Sequence, residues 1–171
     1  RRRRPSDYGT TMPEALAQVE LFSDGACRGN PGRGAWGVCL RAAGRERVLW
    51  GYVPETTNNR MEMTAVLRGL QVLRRPSRVQ IVTDSRYLVD GMTQWLPGWL
   101  RRGWRSAAGA AVKNRDLWQA LQEAAAGHEL HWQWVRGHAG HPENEAVDAL
   151  INRVLDRFGT ETEVREGEGW L

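Results

Sequence analysis

Ser23-Asp24-Gly25-Ala26-Cys27-Arg28-Gly29-Asn30-Pro31-Gly32 decides how the rest of the chain is read. The apolar residues ahead of it, Val19, Leu21 and Phe22, read as a strand that ends on a carboxylate. Glycines, a proline and an asparagine follow at once. Glycine adopts backbone angles closed to other residues, and Pro31-Gly32 is a turn signal. Asp24 therefore sits at the mouth of a core strand, beside backbone that a ligand can approach closely. Three further acids, Glu62, Asp84 and Asp148, also fall in core-forming contexts.

Working outward, the 171 residues suit one domain with a core of ordinary size. The chain has no apolar run of about eighteen residues and no charged-then-apolar leader, so the expectation is a cytoplasmic protein without a membrane span. Cys27 and Cys39 are its two cysteines, in no metal-binding spacing, and read as reduced thiols. The net charge of +4 comes from Arg1 to Arg4; the remaining chain is balanced. Charge is nonetheless segregated. Residues 95–115 carry Arg101, Arg102, Arg105, Lys113 and Arg115 with no acid, which suggests a polyanion partner held at a defined place. A solvated helix face is the plainer reading of such a run.

Residues 1–17 read as a flexible basic arm, 18–160 as the folded domain and 161–171 as an acidic tail. Strands are expected at about 18–24, 35–41 and 47–53, joined as an antiparallel meander with a tight turn at Ala43-Gly44. A helix over about 60–74, capped by Asn58 or Asn59, carries Met63, Val66, Leu67, Leu70 and Leu73 on one face and Glu62 in its first turn. Val79 to Asp84 reads as a buried strand, again ending on Asp. Residues 85–95 follow a helical pattern that Pro97-Gly98 is expected to break. A basic, tryptophan-bearing excursion over 99–115 leads to a helix capped by Asn114. His131 to Val135 alternates as a last strand, and 143–158 has a strong helical period that places Asp148 beside the apolar stripe. The fold class is α/β: a five-stranded mixed sheet, three antiparallel strands then parallel additions, flanked by helices.

Two strands ending in Asp can lie side by side, with the helices of Glu62 and Asp148 crossing near them. Uncompensated carboxylates in one place repel, so such a cluster calls for cations. Oxygen ligands without His or Cys select Mg²⁺ or Mn²⁺ over Zn²⁺, and two such ions suit phosphodiester cleavage.

At these residues the chain resembles ribonuclease H type 1, in its single-domain bacterial form. The likeness rests on S-D-G-A-C-R-G-N-P-G at 23–32, T-T-N-N-R-M-E at 56–62 and T-D-S-R-Y at 83–87. It continues through W-L-P-G-W-L-R-R-G-W at 95–104, V-K-N-R-D-L-W at 112–118 and G-H-A-G-H-P-E-N-E at 137–145, followed by Asp148. The resemblance implies a ribonuclease H-like fold and a monomeric endonuclease. It implies hydrolysis of the RNA strand of RNA–DNA hybrids with two Mg²⁺ ions, Mn²⁺ being a substitute, to give 5′-phosphate and 3′-hydroxyl ends. It makes Asp24, Glu62, Asp84 and Asp148 the metal ligands and His138 an aid to proton transfer or product release. Cys27, Asn30, Asn58 and Glu62 would face the RNA strand and its 2′-hydroxyls. Thr57 and Asn114 would grip a DNA-strand phosphate, and Trp95, Trp99, Arg101, Arg102, Trp104 and Arg105 would form the basic protrusion that holds the hybrid. Two rivals share the scaffold: a catalytically silent hybrid-binding module, which need not keep all four carboxylates, and the nuclease part of a retroelement.

Other residues have plainer readings. Glu145, one turn from Asp148, reads as a solvated helix residue, with an influence on the site as the alternative, and His141 as ordering the loop, with metal binding as the lesser reading. Trp118, Trp132 and Trp134 read as packing; Trp36 and Trp50 as packing or partly exposed; Trp95 and Trp104 as either packing or contact residues. Glu55 puts an acid where some relatives carry a base, Asp148 stands between Val147 and Ala149 without polar neighbours, and Lys113 is the only lysine.

Overall fold

The computed structural model describes residues 16–137 and 140–171. The expectations for most of the arm and for His138 lie outside the described residues. β1 (Ala17–Arg28), β2 (Gly32–Ala42) and β3 (Arg45–Thr56) form the antiparallel meander. α1 (Asn58–Gln71) crosses to β4 (Ser77–Thr83), which runs parallel to β1, with Phe22 opposite Val82. α2 (Arg86–Asp90), a π turn (Gly91–Trp95) and α3 (Leu96–Arg101) follow without a break. After the protrusion come α4 (Arg115–Ala125), β5 (Glu129–Trp134), parallel to β4, and α5 (Pro142–Phe158).

The sheet has six strands, not five, in the order β5-β4-β1-β2-β3-β6. The sixth, β6 (Arg165–Glu168), lies in the expected acidic tail and pairs antiparallel with β3. Its sequence has no apolar alternation. Its hold comes from charge and shape: Arg47 meets Glu168 at 2.6 Å, Arg68 meets Glu166, and a Cβ at Gly167 would collide with the Trp50 ring.

Strand alternation divides the core into two layers. Leu21, Val38 and Ile81 face α1 and α4, with Trp118 fully buried among them. Phe22, Cys39 and Val82 face α5 and meet Val147, Leu150, Ile151 and Val154. Trp36 and Trp50 are both packing residues, buried in opposite layers.

Pro97-Gly98 does not end the helical stretch. Pro97 falls in the first turn of α3, where its missing N–H has little to lose, and the π turn ahead of it absorbs the change of register. The cap of α1 is Thr57 rather than Asn58 or Asn59: its Oγ1 accepts the Arg60 N–H at 3.3 Å. The two asparagines begin the helix and are free for other work.

Candidate active site

Alternation with Phe22 puts the Asp24 side chain on the α5 side of the sheet. Its backbone is still inside the ladder, opposite Gly37. Glu62 comes from the other layer and reaches Asp24 because the next residue in β1 is Gly25. A Cβ there would lie 2.5 Å from Glu62 N and would strike Met61 as well, so α1 rests directly on the strand backbone. Asp84 follows the last residue of β4, the parallel neighbour of β1. Two adjacent strands thus deliver aspartates to one end of the sheet, and α1 adds a glutamate.

Carboxylate oxygens of Asp24, Glu62 and Asp84 lie within 4.8 Å of one another. Asp148, half-buried on α5, stands outside this triad but near enough that its charge acts on Asp24. Burial raises the Asp24 carboxyl from 3.8 to about 8, with Asp84 adding to the rise and the Gly25 N–H, 2.9 Å from Oδ1, opposing it. Glu62 is pushed well above its ordinary range by burial, then by Asp24 and Asp84. Its Oε2 is sealed from solvent and receives no hydrogen bond from an amide, hydroxyl or guanidinium group. An all-oxygen donor set whose members resist ionisation together fits a hard divalent cation, which would supply the missing positive charge.

Beside the triad, Asn58 Oδ1 accepts the Cys27 N–H at 2.8 Å and Asn30 Oδ1 accepts the Asn58 N–H at 3.1 Å. The β1–β2 connection and the start of α1 are therefore locked together, with Asn30 and Asn58 exposed. A second polar group lies at the α1–α4 junction. Arg60 forks onto Asp116 at 2.7 and 3.0 Å and reaches Asn114 Oδ1 at 3.3 Å, while Asn114 Nδ2 donates to the Tyr87 hydroxyl at 3.1 Å. Asn114 adopts a left-handed conformation ahead of α4 and its side chain does not cap the helix. Arg60 and Asp116 belong to this group although the sequence reading singled out neither. The T-T-N-N-R and K-N-R-D spacings held that information, since both residues occupy first turns of helices.

The protrusion is built on aromatics packed at a tilt. Trp99 lies 5.2 Å from Trp118 and 5.8 Å from Trp95, centroid to centroid. Trp104 is buried and covered by Arg115, whereas Trp95 is exposed. Arg102 and Arg105 donate to carbonyls of Arg105 and Gly109, so they also shape the loop they charge. Trp134, expected to pack, is exposed: β5 is an edge strand, and what lies over its ring is the Arg86 guanidinium at the start of α2 rather than an apolar helix face. Glu145 is exposed on α5, and His141 is its half-buried N-cap residue without a side-chain cap bond.

Residues 16–156 match the family described as RNase H. A ribonuclease H of Acidithiobacillus ferrooxidans is 68% identical over 160 residues, covering 94% of this chain and 100% of that protein. One from Halorhodospira halophila is 59% identical, covering 86% of this chain and 99% of its own. Among solved structures, LC9-RNase H1, described as a type 1 RNase H with the type 2 active-site motif, superposes with a TM-score of 0.75. It is 35% identical, over 90% of this chain and 79% of that one. LC11-RNase H1 in complex with an RNA/DNA hybrid shares the fold at a TM-score of 0.57 and 21% identity, over 80% of this chain and 99% of that one.

Proposed function

The chain belongs to the ribonuclease H family, in its bacterial type 1 branch, and from that premise we infer that it is an endonuclease hydrolysing the RNA strand of RNA–DNA hybrids. The observation that carries the reading is the carboxylate triad formed by Asp24 within β1, Asp84 just past the parallel β4 and Glu62 of α1. Asp24, Glu62 and Asp84, joined by Asp148, would hold the divalent ions; Mg²⁺ is the proposed physiological choice, two per site, with Mn²⁺ able to replace it. When bound, such ions activate water and stabilise the leaving oxygen of a phosphodiester. The products would be a 5′-phosphate and a 3′-hydroxyl.

The chain's own residues have separable tasks. Asn30, Asn58 and the backbone at Cys27 form a hydrogen-bonded, exposed ledge next to Glu62, which suits contact with 2′-hydroxyls and hence recognition of the RNA strand. Thr57 and Asn114, linked through Arg60, form the second contact, for a phosphate of the DNA strand. Arg101, Arg102 and Arg105 hold the duplex through its charge. His138 is proposed to move a proton or speed product release, a task for which histidine's near-neutral reference pKa suits that residue type. A cytoplasmic monomer is the state proposed; Cys27 and Cys39 are free thiols, and no helix among the described residues is long and apolar enough to cross a membrane.

Labelled RNA–DNA hybrid incubated with Mg²⁺ is the direct test. The expected result is cleavage of the RNA strand alone, with double-stranded DNA left intact. An uncut hybrid, or DNA cut equally well, overturns the assignment.

A further inference from the structure

Of the three clustered carboxylates, Asp84 has the least support from its own element. Asp24 sits within the β1–β2 ladder and Glu62 within a helix, but Asp84 lies in the short link between β4 and α2. The β1–β4 register ends at Phe22 opposite Val82, and the β4–β5 register ends at Thr83 opposite Trp134. Val135 N–H donates to Thr83 O at 2.9 Å, the last backbone bond on that side. The next carbonyl, that of Asp84, instead receives the indole Nε1–H of Trp134 at 3.0 Å. A side chain supplies one more rung.

Burial does not fix that indole, since Trp134 is 38% exposed. The Arg86 guanidinium lies over its ring at 4.3 Å, a cation–π distance. Arg86 is the first residue of α2, two positions after Asp84. The ring is thus held at its edge by the Asp84 peptide and on its face by the helix that follows it. Ser85 completes the link: its N–H donates to Thr83 Oγ1 at 3.1 Å and its Oγ caps α2 through the Leu88 N–H at 3.2 Å.

We propose that Trp134, clamped by Arg86, is a positioning residue for Asp84: its indole N–H holds the Asp84 peptide so that the carboxylate stays within the cation-binding triad. Outer partners of ligating groups set the orientation on which metal affinity depends. This inference rests on the reading that the triad binds divalent ions, and it adds an edge-strand tryptophan to the residues that tune that binding.

Trp134→Phe keeps an aromatic face for Arg86, though a smaller one, and removes the N–H. Mn²⁺ binding to the protein without nucleic acid, measured by calorimetry, is expected to weaken about five- to tenfold in Trp134→Phe and about two- to threefold in Arg86→Ala, for loss of one hydrogen bond and one ring contact. The metal-free melting temperature should stay within about 2 °C of wild type, as for a surface change. In an Asp84→Asn background the Trp134 substitution should change Mn²⁺ affinity no further, because the group it positions no longer ligates as a carboxylate. Unchanged Mn²⁺ affinity in Trp134→Phe, or an equal loss in the Asp84→Asn background, overturns the proposal while leaving the metal site intact. Wild-type protein that takes up no Mn²⁺ removes the metal reading, and the proposal with it.

Discussion

Asp24 is an aspartate whose environment opposes its own charge. Burial, Asp84 and Asp148 all favour the neutral acid, lifting it from 3.8 to about 8, and Glu62 is raised in the same sense. The sign of the resulting pH dependence follows. A carboxyl raised in the folded state binds more protons folded than unfolded throughout the window between its two values, so folding stability falls as pH rises through it. Asp116, lowered by Arg60, acts in the opposite sense, but only on acidification below the ordinary carboxylate range. Between pH 5 and pH 8 the raised groups dominate. Metal-free protein should therefore melt roughly 5–10 °C lower at pH 8 than at pH 5, for a cost of a few kcal/mol. Added Mg²⁺ or Mn²⁺ should restore more of that loss at pH 8 than at pH 5. Calorimetric melts with and without chelator across this range check both; a flat metal-free profile would show that the cluster does not carry the charge conflict. Asp24→Asn should flatten the slope, raise the metal-free melting point at pH 8 and reduce hybrid cleavage on the order of 10³-fold or more.

At the scale of elements, the site depends on how closely α1 lies on β1. Gly25→Ala places a methyl against Met61 and the Glu62 backbone. The helix must lift, at a cost of roughly 1–3 kcal/mol, the usual range for overpacking. Urea midpoints report that cost, and cleavage should fall with it, because Glu62 moves away from Asp24. A variant with wild-type midpoint and turnover would show the approach to be looser than the backbone suggests. The strand, the helix and their acids were readable from residue type and spacing, since apolar periodicity marked each element, but their ends were not: β1 runs past Asp24 to Arg28, and α1 spans Asn58–Gln71 rather than about 60–74. What sequence periodicity missed follows a different physics. β6 is Arg165-Glu166-Gly167-Glu168, four residues without an apolar side chain, recruited by Arg47, Arg68 and the Trp50 ring from elsewhere in the chain. Trp134 follows an alternation that predicts packing, yet its strand lies at the sheet edge and its ring is met by the Arg86 guanidinium instead of apolar side chains. Such outcomes depend on which element lies next door, and a local pattern does not encode that. Removing residues 161–171 tests the point: β3 becomes the sheet edge and Tyr52 loses its 2.8 Å bond to the Glu161 carbonyl. Stability should fall by roughly 1–3 kcal/mol for the lost bonds and strand cover. The exposed edge should promote self-association visible in sedimentation at high concentration, with cleavage of the hybrid retained because β6 lies three strands from β1.

Over the whole molecule, charge is arranged rather than abundant. Outside Arg1 to Arg4 the acids and bases balance, yet residues 95–115 carry only positive charge. They project as α3 and the loop after it, on a base where Trp99 packs at a tilt between exposed Trp95 and Trp118, the last buried in the core layer of α1 and α4. The protrusion is therefore packed against the layer that carries Glu62, and a duplex gripped there would be held at an offset from the triad that this packing sets. Binding through phosphates releases counterions, and the salt dependence of affinity counts the contacts, at about 0.9 in logarithmic slope per phosphate neutralised on B-DNA. Arg101→Gln, Arg102→Gln and Arg105→Gln combined should flatten that slope by about 1–3 and raise KM at moderate salt roughly tenfold or more, with kcat at saturating hybrid nearly unchanged. Because Arg102 and Arg105 also donate to loop carbonyls, circular dichroism of the aromatic bands must first show Trp104 still packed. A fall in kcat with an unaltered slope would assign these arginines to shaping the site instead of holding the duplex. Deleting residues 1–11 in parallel separates the arm from the protrusion: if both flatten the slope, two basic regions share the hybrid, and if only the triple variant does, the charge that matters is the charge the core holds in place.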